Sequence, residues 1–231
     1  MRKYLFIITL PLIVALTINL GCASMSNAAK GAIIGGGGGA AAGAGIGAAV
    51  GGGRGAAIGA GVGAVVGTTA GVIIGNRMDK QKEELEKIAG AQVEEVVDAN
   101  DLKAIKVTFA DGILFATGSS QLSQSSRNSL TDFAKSLADN PHTDVTIYGH
   151  TDNTGSRAVN ETLSADRARA VATFLSGQGI ASNRFTTQGL AYDSPIADNS
   201  TAEGRARNRR VEIFISANSE MIKQAEAGTL Q

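Results

Sequence analysis

Cysteine, histidine and tryptophan are scarce in this chain of 231 residues, which has one, two and none of them. A single cysteine excludes a disulfide scaffold and any Cys-rich zinc module. Two histidines, His142 and His150, leave little material for a metal centre or a histidine-based triad. Acid is missing altogether before Asp79. Residues 1–75 carry only Arg2, Lys3, Lys30 and Arg54, while residues 76–231 hold the other 17 basic and all 21 acidic residues, a net charge of −4. The formal net charge of the whole chain is zero, which removes any strong case for a basic nucleic-acid binder. Beyond the acid-free part about 150 residues remain, enough for one domain with its own core.

The apolar run Tyr4–Leu20 follows Arg2 and Lys3, a positive n-region before an apolar h-region, and reads as an export signal over residues 1–21. It ends at Gly21-Cys22, and Cys22 is the single cysteine. A small residue before a lone Cys at this place resembles a bacterial lipobox, although Asn19 stands at the usual leucine position and Leu20 one place later. That resemblance implies a mature N-terminus at Cys22, carrying lipid such as palmitate, with Ala23 matching an outer-membrane sorting pattern. Several acyl chains at about 0.8 kcal/mol per buried CH₂ would hold the protein on a membrane. The alternative is an uncleaved N-terminal membrane helix with an incidental cysteine.

Glycine is concentrated where charge is absent: 19 of the 30 glycines lie between Gly31 and Gly75. One recurs at every fourth residue from Gly31 to Gly75, and the rest of the segment is Gly, Ala, Val or Ile apart from Arg54, Thr68 and Thr69. On a helix this row is a shallow groove that another helix can approach closely. Arg54 divides the segment into two pieces of about 30 Å each as helices, the thickness of a hydrocarbon core. A helical hairpin follows. A spacing of four also lines one face of a β-strand, and Gly-rich stretches can be linkers, although linkers are usually polar. The pattern resembles the glycine-zipper segments of bacterial envelope lipoproteins, which favours helices.

From Asn76 the composition turns charged, and Asp79–Ala89 is strongly helix-forming. Val93–Val97 and Leu102–Phe109 flank Asn100-Asp101 as a hairpin. Ser123–Asp139 places Leu130, Phe133, Ala134 and Leu137 on one helical stripe. Asp144–Gly149 alternates as a strand. Ser156–Ser176 predicts a second helix with Ser164, Ala168, Val171 and Leu175 facing the core. Thr186–Gly189 and Val211–Ser216 supply further strands. Alternating strands and helices imply a layered α/β (α+β) domain.

Two stretches carry recognisable chemistry. The first is Gly149-His150-Thr151-Asp152-Asn153-Thr154-Gly155, followed by Asn160, Leu163-Ser164 and Arg167-Ala168; the second runs from Asn199 to Arg205 and on through Asn208-Arg209-Arg210-Val211-Glu212. In this order they resemble the OmpA-like C-terminal domain over residues 105–216, and the whole chain is similar to glycine-zipper OmpA-family lipoproteins. The resemblance implies a βαβαβ two-layer domain that binds peptidoglycan without cleaving it. It assigns Asp152 and Arg167 to the diaminopimelate of the peptide stem. An acceptor-only carboxylate suits the ammonium of that group, and a planar guanidinium suits its carboxylate. Asn160, Leu163 and Arg167 share a helix face, with Asp152 at the strand end feeding that helix. Thr151 and Phe115 are wall and hydrogen-bonding residues. The family often has an acid after this Phe, and Ala116 here cannot accept a hydrogen bond. Spacing alone allows a different use of the charges, an internal Asp152–Arg167 salt bridge. Arg205, Arg209 and Arg210 combine structural roles with a basic rim.

No catalytic set emerges. The only cysteine is at the lipidation position, and no Gly-Lys-Ser/Thr follows Gly35–Gly39, so there is no P-loop. The expected organisation is a signal peptide (1–21), a lipid-anchored linker (22–30), a glycine zipper (31–75), a helical and hairpin linker (76–104), the OmpA-like domain (105–216) and a polar tail (217–231). The expected partners are peptidoglycan and outer-membrane lipid, with the domain in the periplasm and no nucleic acid, metal or cofactor. A homo-oligomer or pore built through Gly31–Gly75 is the alternative function.

Overall fold

A computed structural model describes residues 69–116 and 118–230. The signal, Cys22, the linker after it and the glycine segment up to residue 68 lie outside the described residues. Helix α1 (Thr69–Leu85) leads into an antiparallel hairpin of β1 (Ala91–Val97) and β2 (Lys103–Ala110). A single turn, α2 (Asp111–Leu114), precedes α3 (Gln124–Asp139) and β3 (Thr143–His150). Helix α4 (Arg157–Gly177) then crosses to β4 (Phe185–Gly189), α5 (Ala202–Asn208) leads to β5 (Arg210–Ala217), and α6 (Ser219–Glu226) follows.

The five strands lie in the order β1-β2-β5-β3-β4, antiparallel except for β3 and β4. A parallel pair needs a crossover, and α4 is that crossover. Strand alternation sends Ile105, Val107, Phe109, Val145, Ile147, Val211, Ile213 and Ile215 to one face, where they join the core residues of the helices. Leu130, Phe133, Ala134 and Leu137 of α3, and Ser164, Ala168, Val171 and Leu175 of α4, are all buried, as their spacing predicts. Ser123 and Ser156 cap these two helices, their side chains accepting from the Ser126 and Val159 amides. The opposite face carries a small cluster of Tyr148, Leu190 and Phe214, with the Tyr148 and Phe214 rings edge to face at 5.6 Å.

Two segments differ from expectation. The stretch 76–104, read as a linker, belongs to the domain, and so does the end of the glycine segment. Helix α1 runs unbroken through Gly75 and buries Ala70, Ile74, Met78, Gln81 and Leu85, a stripe at helical spacing, against β2 and α6. Arg77 donates to the Asn140 side chain at 2.9 Å and to the Asp139 carbonyl at 3.0 Å, tying α1 to the end of α3. Within 217–231, read as a polar tail, Ser219–Glu226 forms α6. Its cap Asn218 accepts from the Glu220 and Met221 amides, and Met221, Ile222 and Ala225 are buried in the common core. Few apolar residues are needed when the helix is short and its stripe is already covered. Among the described residues no helix is long and apolar enough to cross a membrane.

Candidate functional site

The site forms where the parallel strands β3 and β4 end and α4 begins, a place where open α/β sheets commonly bind ligands. Side chains would keep α4 away from it. Gly149 and Gly189 face the helix, and a Cβ at either would come closer than 3.0 Å to atoms of Ser164 and Ala165. Glycine at both positions lets the helix lie directly on the strand ends. Leu190 then donates its amide to the Gly149 carbonyl at 2.9 Å, and Thr151 donates its amide to the Ala191 carbonyl at 2.8 Å. Ala191 adopts φ 45°, in the left-handed region that costs a non-glycine residue roughly 1 kcal/mol. It is held there by that bond and by the Ser164 hydroxyl, which accepts from its amide at 3.1 Å.

Asp152 follows at the strand end. Its Oδ1 accepts from the Thr154 amide at 2.8 Å, an Asx turn, and its Oδ2 accepts from Arg209 Nη1 at 2.6 Å. Burial pushes the Asp152 carboxyl up, but Arg209 and Thr154 outweigh it and hold it below the ordinary carboxylate value. Asn160 binds the same turn from the helix, donating to the Thr154 carbonyl at 2.9 Å and the Ser156 carbonyl at 3.2 Å. Its side chain thus orders the loop around Asp152. Thr151 is buried, and its hydroxyl has no hydrogen-bond partner among the described residues. Such an orphan is uncommon inside a protein.

Arg167 is 1 % exposed. Its Nε donates to the Ser119 carbonyl at 3.0 Å, and its guanidinium lies 5.3 Å from the centroid of the Phe115 ring. Phe115 is itself buried and bridged to Leu122, so the Phe115 ring and the Ser119 carbonyl both lie against Arg167. Leu163 is half-buried on the same helix. The structure therefore brings Asp152, Thr151 and Asn160 together at one turn, and Arg167 together with Phe115. It does not make the internal Asp152–Arg167 salt bridge that spacing allows. The cation on Asp152 is Arg209, supplied by the residue just before β5.

Sequence reading also missed a buried charge cluster next to Thr151. His150 and Arg210 are register partners on β3 and β5. Arg210 Nε donates to Glu212 Oε1 at 2.8 Å, and His150 Nε2 stands 3.4 Å from Glu212 Oε2 without forming a well-directed hydrogen bond. Burial raises the Glu212 carboxyl, but His150 and Arg210 overcome it and bring it down to about 2. Burial, with Arg210 beside it, lowers His150 against the pull of Glu212. Among the described residues no group of His, Cys, Asp and Glu could hold a metal ion.

The model of the OmpA family matches residues 114–209, and that of the YMGG-like Gly-zipper matches residues 1–79. The solved structure of the cell wall anchor of the T6SS from Pseudomonas aeruginosa is 32% identical, with a TM-score of 0.51 over 61% of this chain and 97% of that one. The chain belongs to the OmpA family. Other relatives match about half of the chain. The "Probable lipoprotein YiaD" of Escherichia coli is 44% identical over 112 residues, 48% of this chain and 51% of that protein. The "Peptidoglycan-binding protein ArfA" of Mycobacterium tuberculosis is 42% identical over 113 residues, 49% of this chain and 35% of its own length. The chain therefore spans about half of YiaD and about a third of ArfA. The residues matched to the OmpA family include Phe115, Thr151, Asp152, Asn160, Leu163, Arg167 and Arg209. ArfA and the cell wall anchor are named as a binding and an anchoring protein, and YiaD as a lipoprotein; none of the three is named as an enzyme.

Proposed function

We propose that this protein binds peptidoglycan non-covalently and ties the cell wall to the outer membrane, through which it is anchored by lipid on Cys22. The group gripped is the diaminopimelate of the peptide stem, its ammonium on Asp152 and its carboxylate on Arg167. Thr151 offers its hydroxyl, Asn160 holds the turn, and Phe115 and Leu163 form the apolar wall. The observation that carries this reading is the placement of one nearly buried acid at the carboxyl ends of β3 and β4, with a nearly buried arginine on the helix that crosses there. A zwitterionic end needs both charges, fixed and shielded from bulk water. Membership of the OmpA family and the names of ArfA and the cell wall anchor support the choice of wall polymer.

The test is co-sedimentation of the full chain with purified sacculi of the diaminopimelate type. Wild type goes to the pellet, and Asp152→Ala and Arg167→Ala, each still folded by circular dichroism, stay in solution. Loss of one partner of a buried charged hydrogen bond costs about 2–5 kcal/mol, enough to abolish sedimentation. If both variants sediment like wild type, the site assignment fails. Mass spectrometry of the mature N-terminus, with lipid on Cys22, tests the anchor.

The glycine spacing and the Gly-zipper match over residues 1–79 favour a second role for the N-terminal part, helix–helix association in the membrane. Crosslinked oligomers that vanish in Gly43→Leu and Gly63→Leu would support it, and a monomer in wild-type membranes would refute it.

A further inference from the structure

The proposed ligand brings a cation to Asp152, but Asp152 already has one. Arg209 Nη1 sits 2.6 Å from Oδ2, the Thr154 amide takes Oδ1, and only 10% of the Asp152 side chain is exposed. A ligand ammonium reaching Oδ2 meets the guanidinium at close range, and like charges in a shielded site repel strongly. Two outcomes relieve this. The guanidinium turns away, or the ligand brings a negative charge to meet it.

Arg209 is built for such an exchange. Its backbone is fixed, since its amide caps α5 by donating to the Arg205 carbonyl at 3.0 Å. The next residue, Arg210, is buried and bonded to Glu212, Asn208 and Ser194. The Arg209 side chain, by contrast, is 33% exposed where it meets Asp152. Arg167 lies deeper, under Ser119 and on the Phe115 ring. A carboxylate entering beside an ammonium therefore meets Arg209 before it meets Arg167.

We infer that Arg209 is a specificity-determining residue: it holds Asp152 in the place of the ligand ammonium, and on binding it turns to the ligand carboxylate, so that the site takes a zwitterionic stem end and rejects a bare amine. The inference rests on the peptidoglycan reading above. With one acid and two guanidiniums the site already carries a positive excess. A zwitterion leaves that excess unchanged, and a lone ammonium adds to it. Rejection is therefore built from repulsion as well as from contacts.

The test compares two soluble stem peptides by calorimetry on the full chain in detergent. They are L-alanyl-D-glutamyl-meso-diaminopimelate and the same peptide ending in L-lysine. Wild type binds the first and binds the second at least about tenfold more weakly. In Arg209→Gln the lysine peptide binds more tightly than it does to wild type, and the diaminopimelate peptide binds more weakly, so the gap narrows from both sides. Arg209→Lys, which keeps the cation, goes on rejecting the lysine peptide. A merely structural role for Arg209 would weaken both peptides together. If the lysine peptide binds Arg209→Gln no more tightly than wild type, the inference is overturned. A wild type that binds neither peptide, or an Asp152→Ala variant that binds both as wild type does, instead overturns the peptidoglycan reading itself.

Discussion

Gly149 lies so close under Ser164 that a Cβ there would fall within 3.0 Å of the Ser164 carbonyl oxygen. The contact is with backbone, so no side-chain rotation relieves it. Alanine at Gly149 should cost about 3 kcal/mol by pushing α4 off the strand ends, and Gly189→Ala should behave alike. Gly177, at the other end of α4, has open space around its Cβ position, and Gly177→Ala should gain a few tenths to about 1 kcal/mol. Urea unfolding of the three variants checks the order. Equal midpoints for Gly149→Ala and Gly177→Ala would contradict the packing account.

Helix α1 should behave as part of the core. Ile74 and Met78 are almost fully buried, in a stretch whose composition reads as the border of a glycine segment. Ile74→Ala or Met78→Ala should destabilise the domain by about 2–4 kcal/mol. Val72, on the exposed side of the same helix, should tolerate alanine with little change. A full-chain melting curve indifferent to Ile74→Ala would show that α1 is not docked.

The buried cluster makes stability depend on pH. The folded-state pKa of His150 lies below its ordinary 6.5, so between the two values the unfolded chain binds the extra proton. Stability is therefore full above the ordinary value and falls as pH drops through that window. Glu212, at about 2 against an ordinary 4.5, loses its contribution in a second window as pH falls from 4.5 towards 2. His150→Gln should remove the upper window and narrow the lower one, because His150 is one of the two groups that hold Glu212 down. The measurement is the urea midpoint at about pH 7.5 and about pH 5. A wild-type midpoint identical at both would contradict the lowering of His150 by burial.

Much of the fold was legible because its signals are local. Ser123 and Ser156 sit before apolar stripes at helical spacing, and both become N-caps. The alternation of Val211, Ile213 and Ile215 is that of a strand with one buried face. Helix α6 was not legible, because Met221, Ile222 and Ala225 are too few to define a period until the sheet beneath them is known.

The site was legible in its residue types but not in its pairing. Arg209 stands 57 residues from Asp152 in sequence. They meet only because β5 lies between β2 and β3, bringing the start of β5 beside the end of β3. Local alternation cannot give a strand order, so spacing alone allows Arg167 as a partner and does not point to Arg209. Arg167 instead lies against Phe115 and Ser119, a consequence of where α4 packs.

The central claim, that Asp152 and Arg167 grip the zwitterionic end of diaminopimelate, is tested most directly by competition. Full-length protein bound to purified sacculi is titrated with free meso-diaminopimelate, and in parallel with cadaverine or glutarate, which carry only its ammonium or only its carboxylate charges. The account predicts release by meso-diaminopimelate, with much weaker release by either of the others at the same concentration. Retention on sacculi at saturating meso-diaminopimelate, or equal release by all three, would contradict it.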